Sequence, residues 1–526
     1  MLDLIVAGAR IFDGVSPVPI ATDLAVVGER IALIGDLRQR ESVRRVQGGG
    51  LTLAPGFIDV HSHSDELWLV EPLCRSKIMQ GVTTEIGGNC GSSVAPLLLE
   101  ALERKRTDAA AYGLDVEWTD LEGFFAQVES AGIALNVATL VGLGTTRRCV
   151  RGDREGRLAS EELVAQMALV ESSVEQGALG VSSGLIYTPS RYADSAELTA
   201  CAQAARRAGA GRYVSHLRSE GDRLLEAVDE ALGVGRAAEV AVQLSHHKAA
   251  GKRNWGKVHR SLEAIERARR DGLAVAADVY PYVASWTGLD TILPDDVALG
   301  GRAATLTRLQ NPADAALLAV RLELERGGSW HDILVSEVQS ERNAELCGLR
   351  IDEIARRWRM HPARAAIELL LQEQLEVEAI FFSMSEEDVA TVLSAGFACV
   401  GSDASARAIS GITAKGSPHP RTFGCFPRVF GRFVRQRRTL DVGEAIRRMT
   451  ALPAELFGLR DRGRIAEGAY ADLVLFDAAR IVDTATYERP FSYPEGIAGV
   501  WVNGTAVVRD GFATGARPGR VLRHGR

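Results

Sequence analysis

The stretch "GFIDVHSHSD", residues 56–65, begins as a buried strand and ends on two histidines. Phe57, Ile58 and Val60 form a short apolar run behind Gly56, the pattern of a strand covered on both faces. His61 and His63 are two residues apart, so extended backbone turns both side chains to one side. A strand with an apolar body and a polar, metal-competent end is what a parallel barrel places at its functional rim. Alone, such histidines read equally as hydrogen-bonded core residues, so the partners must come from the rest of the chain.

Further strands follow at 82–90, 133–143, 178–186, 212–217, 240–247, 274–281 and 397–403, with amphipathic helical stretches such as 195–209, 221–239, 260–270 and 385–395. Eight strands with helical crossovers predict an α/β fold, a (β/α)8 TIM-type barrel. The segment 378–384, "EAIFFSM", has the look of a ninth strand. The stretch between the last two barrel strands is too long for a plain connection, and 287–345 reads as an inserted lid or subdomain. Both chain ends instead show short alternating strands broken by glycine, "LIVAGARIF" near the start and "GIAGVWVNGTAVVRDG" near the end. Neither end can bury a sheet face by itself, so 1–55 and 460–526 are expected to join into one small β-sandwich beside a barrel at 56–459.

The 526 residues exceed one ordinary core, and 46% are hydrophobic. A net charge of −7 leaves no electrostatic footprint for nucleic acid or an anionic membrane surface. The basic runs 267–270 and 435–438 lie in mixed-charge helical stretches and read as solvated faces. No run approaches about 18 apolar residues, so no membrane span is expected. Seven scattered cysteines and an N-terminus without a signal-peptide pattern suit reduced thiols in a cytoplasmic protein.

Six metal-competent side chains fall at strand ends: His61 and His63 after the first strand, Cys90 after the second, His216 after the fifth, His246 after the sixth and Asp403 after the eighth. Singly, Cys90 could be a small buried residue, His216 and His246 satisfied core histidines, and Asp403 a helix cap. Together on one rim they point to a shared metal site. A thiolate with imidazoles suits Zn2+, and three protein ligands leave a position open for water.

The motifs "PGFIDVHSHSD", "GNCG", "SHLRSE", "SHHK", "DVYPY", "GSDAS" and "PHPRTFGCFPRVFG" occur in this order along the chain. In these motifs the sequence resembles the D-aminoacylases, the N-acyl-D-amino acid deacylases of the amidohydrolase superfamily, nearly end to end. That resemblance implies a tightly bound Zn2+ on Cys90, His216 and His246, with cysteine in the bridging place that a carboxylated lysine takes in many relatives. "GALGVSSGLIY" (177–187) has no lysine, in agreement. His61 and His63 then belong to a second, weaker metal position. Asp403 is similar to the essential carboxylate, the general base and acid. "GSDAS", where some members have glycine after the aspartate, departs from the pattern.

The implied activity is hydrolysis of a small-molecule N-acyl-D-amino acid to a carboxylate and a free D-amino acid, with no nucleic-acid or membrane partner. Lys248, Tyr280 and Arg421 match positions that hold the substrate α-carboxylate, and Tyr187 and Ser285 stand on the same rim. "PYVASWTGLDTILP" (281–294) lacks Lys and Arg and carries Trp286, Leu289, Ile292 and Leu293. It predicts a hydrophobic side chain such as that of D-Leu, D-Phe, D-Met or D-Val. A dihydropyrimidinase-like or dihydroorotase-like cyclic-amide hydrolase would want the missing lysine. A non-catalytic scaffold would lack the ligands.

Overall fold

The computed structural model describes residues 1–326 and 328–525, and it closes the parallel strands into a barrel. In chain order these are β1 (Phe57–Asp59), β2 (Val82–Gly87), β3 (Asn136–Thr139, continued by Val141–Gly142), β4 (Val181–Gly184), β5 (Arg212–His216), β6 (Ala241–Leu244), β7 (Val275–Val279) and β8 (Ala398–Val400). Each pairs in parallel with its neighbour, from Ile58 opposite Thr84 round to Val279 opposite Val400. The ring closes through a bridge between Ser62 and Ala404, where Asp403 N donates to His61 O at 2.8 Å. The strands run apolar because both faces are covered: Ile58, Ile86, Ala138, Val214 and Cys399 share one inner cluster with Phe457.

The outer helices bury one stripe each. In Ser195–Arg207, Leu198, Cys201, Ala202 and Ala205 are buried at helical spacing, as an amphipathic stripe requires. Asp194 caps this helix by accepting from Glu197 N at 2.9 Å, and Arg206 and Arg207 complement its C-terminal dipole.

Both termini build the β-sandwich, whose nine strands hydrogen-bond as one continuous sheet. The join is antiparallel, Thr52–Pro55 against Leu473–Phe476, over a core that includes Leu4, Val6, Leu24, Leu53, Leu475 and Trp501. The tail beyond this sheet returns to the barrel: Val137 N donates to Arg520 O at 2.9 Å and Leu522 N to Val137 O at 2.7 Å.

The long excursion between β7 and β8 is larger than the segment 287–345 singled out by length. Strands Ser285–Gly288, Ile333–Val338 and Val377–Phe381 form an antiparallel sheet of their own, covered by helices including Pro312–Arg326 and Pro362–Gln372. "EAIFFSM" thus supplies the central strand of this sheet and not a barrel strand. Leu289, Ile292 and Leu293 pack into the excursion's own core with Trp330, Ile333 and Leu370.

Glu378, opposite both Gly288 and Glu337 in this sheet, reaches solvent but is crowded by protein. Its carboxyl is pushed up to about 7, first by desolvation, then by Glu337, Asp290 and Glu376. The proton is held above the ordinary value of 4.5, so its stabilising effect is complete below that pH and is lost as pH rises through 7. Glu378→Gln should therefore leave the melting temperature unchanged at acid pH and raise it at pH about 8. A difference independent of pH would contradict this.

Candidate metal centre and active site

The C-terminal ends of the barrel strands bring His61, Cys90, His246 and Asp403 into one buried group whose ligand atoms lie within 4.8 Å of one another. Cys90 Sγ stands 3.3 Å from His61 Nε2 and 3.5 Å from His246 Nε2. Asp403 Oδ1 is 3.4 Å from His61 Nε2 and 3.0 Å from His63 Nε2. His216 joins a second, overlapping group with His246 and Glu220, its ring centroid 4.4 Å from that of His246. The structure thus brings all six rim residues together, with His216 and His63 at opposite margins.

Local backbone conformation gathers them. Cys90, His246 and Asp403 have positive φ, at 52°, 36° and 51°, a region that L-residues seldom occupy and that concentrates at functional sites. The Cys90 turn packs directly on β4: a Cβ at Gly184 would lie 2.0 Å from the Cys90 carbonyl oxygen. Glycine is required there, and the end of β4 is the surface on which the cysteine loop rests.

The donor set fits a borderline-soft divalent ion. Both ring nitrogens of His216 are buried without a hydrogen-bond partner, which a ligand atom would resolve. Burial opposes the thiolate of Cys90, but His61 and His246 outweigh it and hold the thiol well below its usual range. Burial together with the charge of His246 keeps His216 neutral, as a ligating imidazole must be. Against the same desolvation, Arg421, His246 and His61 keep the Asp403 carboxyl well below the ordinary carboxylate range. His63, which loses solvation but gains Asp403, is raised to about 9.

Two carboxylates that the motifs contain but whose roles they do not announce orient these imidazoles. Asp278 Oδ1 lies 3.0 Å from His61 Nδ1 and accepts from His246 N at 2.8 Å, while Gln243 Nε2 donates to Oδ2 at 2.7 Å. Glu220 Oε1 lies 2.8 Å from His246 Nδ1. Such partners fix tautomer and ring direction in metal sites. The usable signal is a carboxylate at the end of an otherwise apolar strand, as in "AVAADVY" (274–280).

Among the expected substrate-side residues, Arg421 is the most telling. It is 1% exposed, its guanidinium lies 4.5 Å from the Tyr280 ring centroid, and it reaches Asp403 Oδ2 at 3.0 Å. Its Nε has no hydrogen-bond partner. Lys248 Nζ stands 5.8 Å from the same Tyr280 ring but donates to Glu220 Oε1 at 2.5 Å. Tyr187 packs edge-on against His216, and its hydroxyl meets Thr287 Oγ1 at 2.9 Å. Ser285, half-buried, opens the excursion's first strand opposite Phe381. Trp286 lies between two cations, 5.9 Å from Arg421 and 5.3 Å from Arg407.

A parallel barrel that gathers imidazoles, a thiol and carboxylates at its C-terminal rim is the architecture of a metal-dependent hydrolase. The sequence pattern of the amidohydrolase family matches residues 48–508. The chain is 37% identical over 522 residues to the N-acyl-D-glutamate deacylase of Alcaligenes xylosoxydans xylosoxydans, covering 99% of this chain and 96% of that one. It is 35% identical to the D-aminoacylase of the same organism, covering 99% and 97%. Its fold superposes with a TM-score of 0.83 on the N-acyl-D-glutamate deacylase of Bordetella bronchiseptica, solved with zinc and a phosphonate mimic of the tetrahedral intermediate, at 35% identity over 99% of both chains. The chain belongs to the amidohydrolase family, in its N-acyl-D-amino acid deacylase branch. Likeness to the dihydropyrimidinase of Brevibacillus agri, at 16% identity and a TM-score of 0.57, is a likeness of fold alone. Among the described residues, no helix is long and apolar enough to cross a membrane.

Proposed function

We propose that this chain hydrolyses the amide bond of N-acyl-D-amino acids, with zinc as its metal. The observation that carries the reading is the buried Arg421 guanidinium, with an unpartnered Nε, set against Asp403 at the edge of the metal-competent group. A fully buried cation with spare donors, stacked on Tyr280, suits the planar α-carboxylate of an amino acid. The expected ligands of the tight ion are Cys90, His216 and His246, with His61 and His63 serving a weaker second position. Bound there, zinc would lower the pKa of water and polarise the acyl carbonyl.

Asp403 supplies the proton path. Ionised at neutral pH, it takes the proton of the attacking water and returns it to the departing nitrogen. Tyr280 and Arg421 fix the carboxylate end of the substrate, Lys248 and Ser285 flank it, and Tyr187 stands beside His216 on the acyl side. The products are a carboxylate and a free D-amino acid.

For the side chain, the apolar reading now rests on Trp286, because Leu289, Ile292 and Leu293 belong to the core of the excursion. Arg407 favours a second reading, an acidic side chain: it is 5% exposed, faces Trp286 and has an unpartnered Nε. It already pairs with Glu337 at 2.8 Å, which keeps the hydrophobic D-residues first. A panel of N-acetyl amino acids in both enantiomers, with dihydrouracil as the cyclic control, tests the proposal. Turnover of acetyl-D-Leu, D-Phe, D-Met and D-Val above D-Glu and D-Asp is expected. Equal turnover of L-enantiomers, or hydrolysis of the cyclic amide alone, would overturn it.

A further inference from the structure

Beneath the rim lies a charged cluster that meets the metal-competent group only at the His61 backbone, whose N donates to Asp59 Oδ1 at 3.3 Å and whose O accepts from Ser402 Oγ at 3.4 Å. Lys77, on the short helix Arg75–Ile78, is completely buried with Asp59 and Glu85. Its Nζ donates at 2.8 Å to each of Asp59 Oδ2, Ser402 Oγ and Ala404 O, and stands 2.7 Å from Glu85 Oε1. Ser402 and Ala404 are the two neighbours of Asp403 in the chain. Asp59 completes the clamp, accepting from Ser402 N at 2.8 Å and from Ser402 Oγ at 2.6 Å.

The other carboxylate does the same for the first strand. Glu85 Oε1 accepts from Ser62 Oγ at 2.5 Å and Ser64 Oγ at 2.6 Å, and these serines flank His63. Trp68 Nε1 ties the other oxygen at 2.9 Å. One ammonium therefore links the residues on both sides of Asp403 to the residues on both sides of His63, the pair whose side chains meet at 3.0 Å.

Burying an ammonium between two carboxylates is a weak source of stability, since desolvation offsets most of the attraction. Geometry is the better account. Asp403 holds a left-handed φ of 51°, and such backbone persists only where its surroundings over-determine it. We infer that Lys77 is a positioning residue for Asp403 and His63, the strut that sets their spacing at the mouth of the barrel. The inference rests on the reading of Asp403 as the proton carrier.

Two variants test it with two readouts. Lys77→Met removes the strut; Ser402→Ala cuts one of its two ties to the loop together with the Ser402 hydroxyl bond to Asp59, leaving the tie to Ala404 O and the buried ion pairs intact should the first variant not fold. Displacement of about 1 Å at a reacting group costs about 100-fold in rate. Lys77→Met should therefore lower kcat per bound zinc by about that factor with KM within about threefold, and Ser402→Ala should lower it about tenfold. The second readout is calorimetric binding of a second equivalent of cadmium to protein holding its first zinc, which should weaken at least about tenfold in either variant. A merely structural role would leave kcat per bound zinc and the second-metal affinity unchanged, and constancy of either in both variants overturns the inference. Failure of the unaltered protein to deacylate any substrate would count against the proposed function, while the cadmium measurement would still judge Lys77.

Discussion

Asp403→Asn is expected to lower kcat by roughly 10³-fold while the protein keeps its zinc, the range of a lost general acid–base group. Asparagine keeps the shape and can still meet His63 Nε2, now 3.0 Å from Oδ1, so the rim should not collapse. What it loses is the ability to accept a proton. The native carboxylate is held ionised against burial by Arg421, His246 and His61, so it stands ready as a base throughout the neutral range. The substitution also frees Arg421 from its 3.0 Å contact with a negative charge, so binding of the substrate carboxylate should not weaken. The expected signature is a fall in kcat with KM equal or lower, at one zinc per chain by elemental analysis. Undiminished kcat would remove Asp403 from the chemistry. Loss of zinc in step with activity would make it a ligand first.

Much of this site could be read from strand ends. His61, His63, Cys90, His216, His246 and Asp403 each stand at the end of a stretch with a strand pattern, and the barrel rule converts that linear position into a common rim. What could not be read depends on contacts distant in the chain. Asp278 looks like one polar residue in a strand until the fold sets it against His61, and Lys77 looks like a helix-surface cation until Ser402 and Ala404 close over it. Leu289, Ile292 and Leu293 show the ambiguity of apolar residues: pocket wall and subdomain core carry the same pattern, and only packing separates them. "EAIFFSM" misleads for a related reason, since a strand covered on both faces reads alike in a parallel barrel and at the centre of an antiparallel sheet. The excursion was legible as an excess of length, its sheet was not.

Cys90→Ala is expected to abolish tight zinc binding, whereas His63→Ala should retain one ion. The contrast follows from the geometry and charge of the donors. Cys90 Sγ stands between His61 Nε2 and His246 Nε2, at 3.3 and 3.5 Å, in contact with both imidazoles and able to contribute a full negative charge through sulfur. Its thiol is already pulled well down by those neighbours, so little is lost in forming the thiolate that zinc requires. Removing it leaves neutral nitrogen donors and Asp403, which Arg421 holds at 3.0 Å. His63 lies at the margin, touching Asp403 and absent from the group whose ligand atoms converge. Losing an outer hydrogen-bond partner of a metal ligand costs up to about 100-fold in affinity, so losing a direct ligand should exceed that. Competition with a chromophoric chelator gives the measurement: the unaltered protein and His63→Ala should hold one zinc against it, and Cys90→Ala none. Equal zinc retention by Cys90→Ala and the unaltered protein would move the tight site away from the cysteine, towards the alternative grouping of His216, Glu220 and His246.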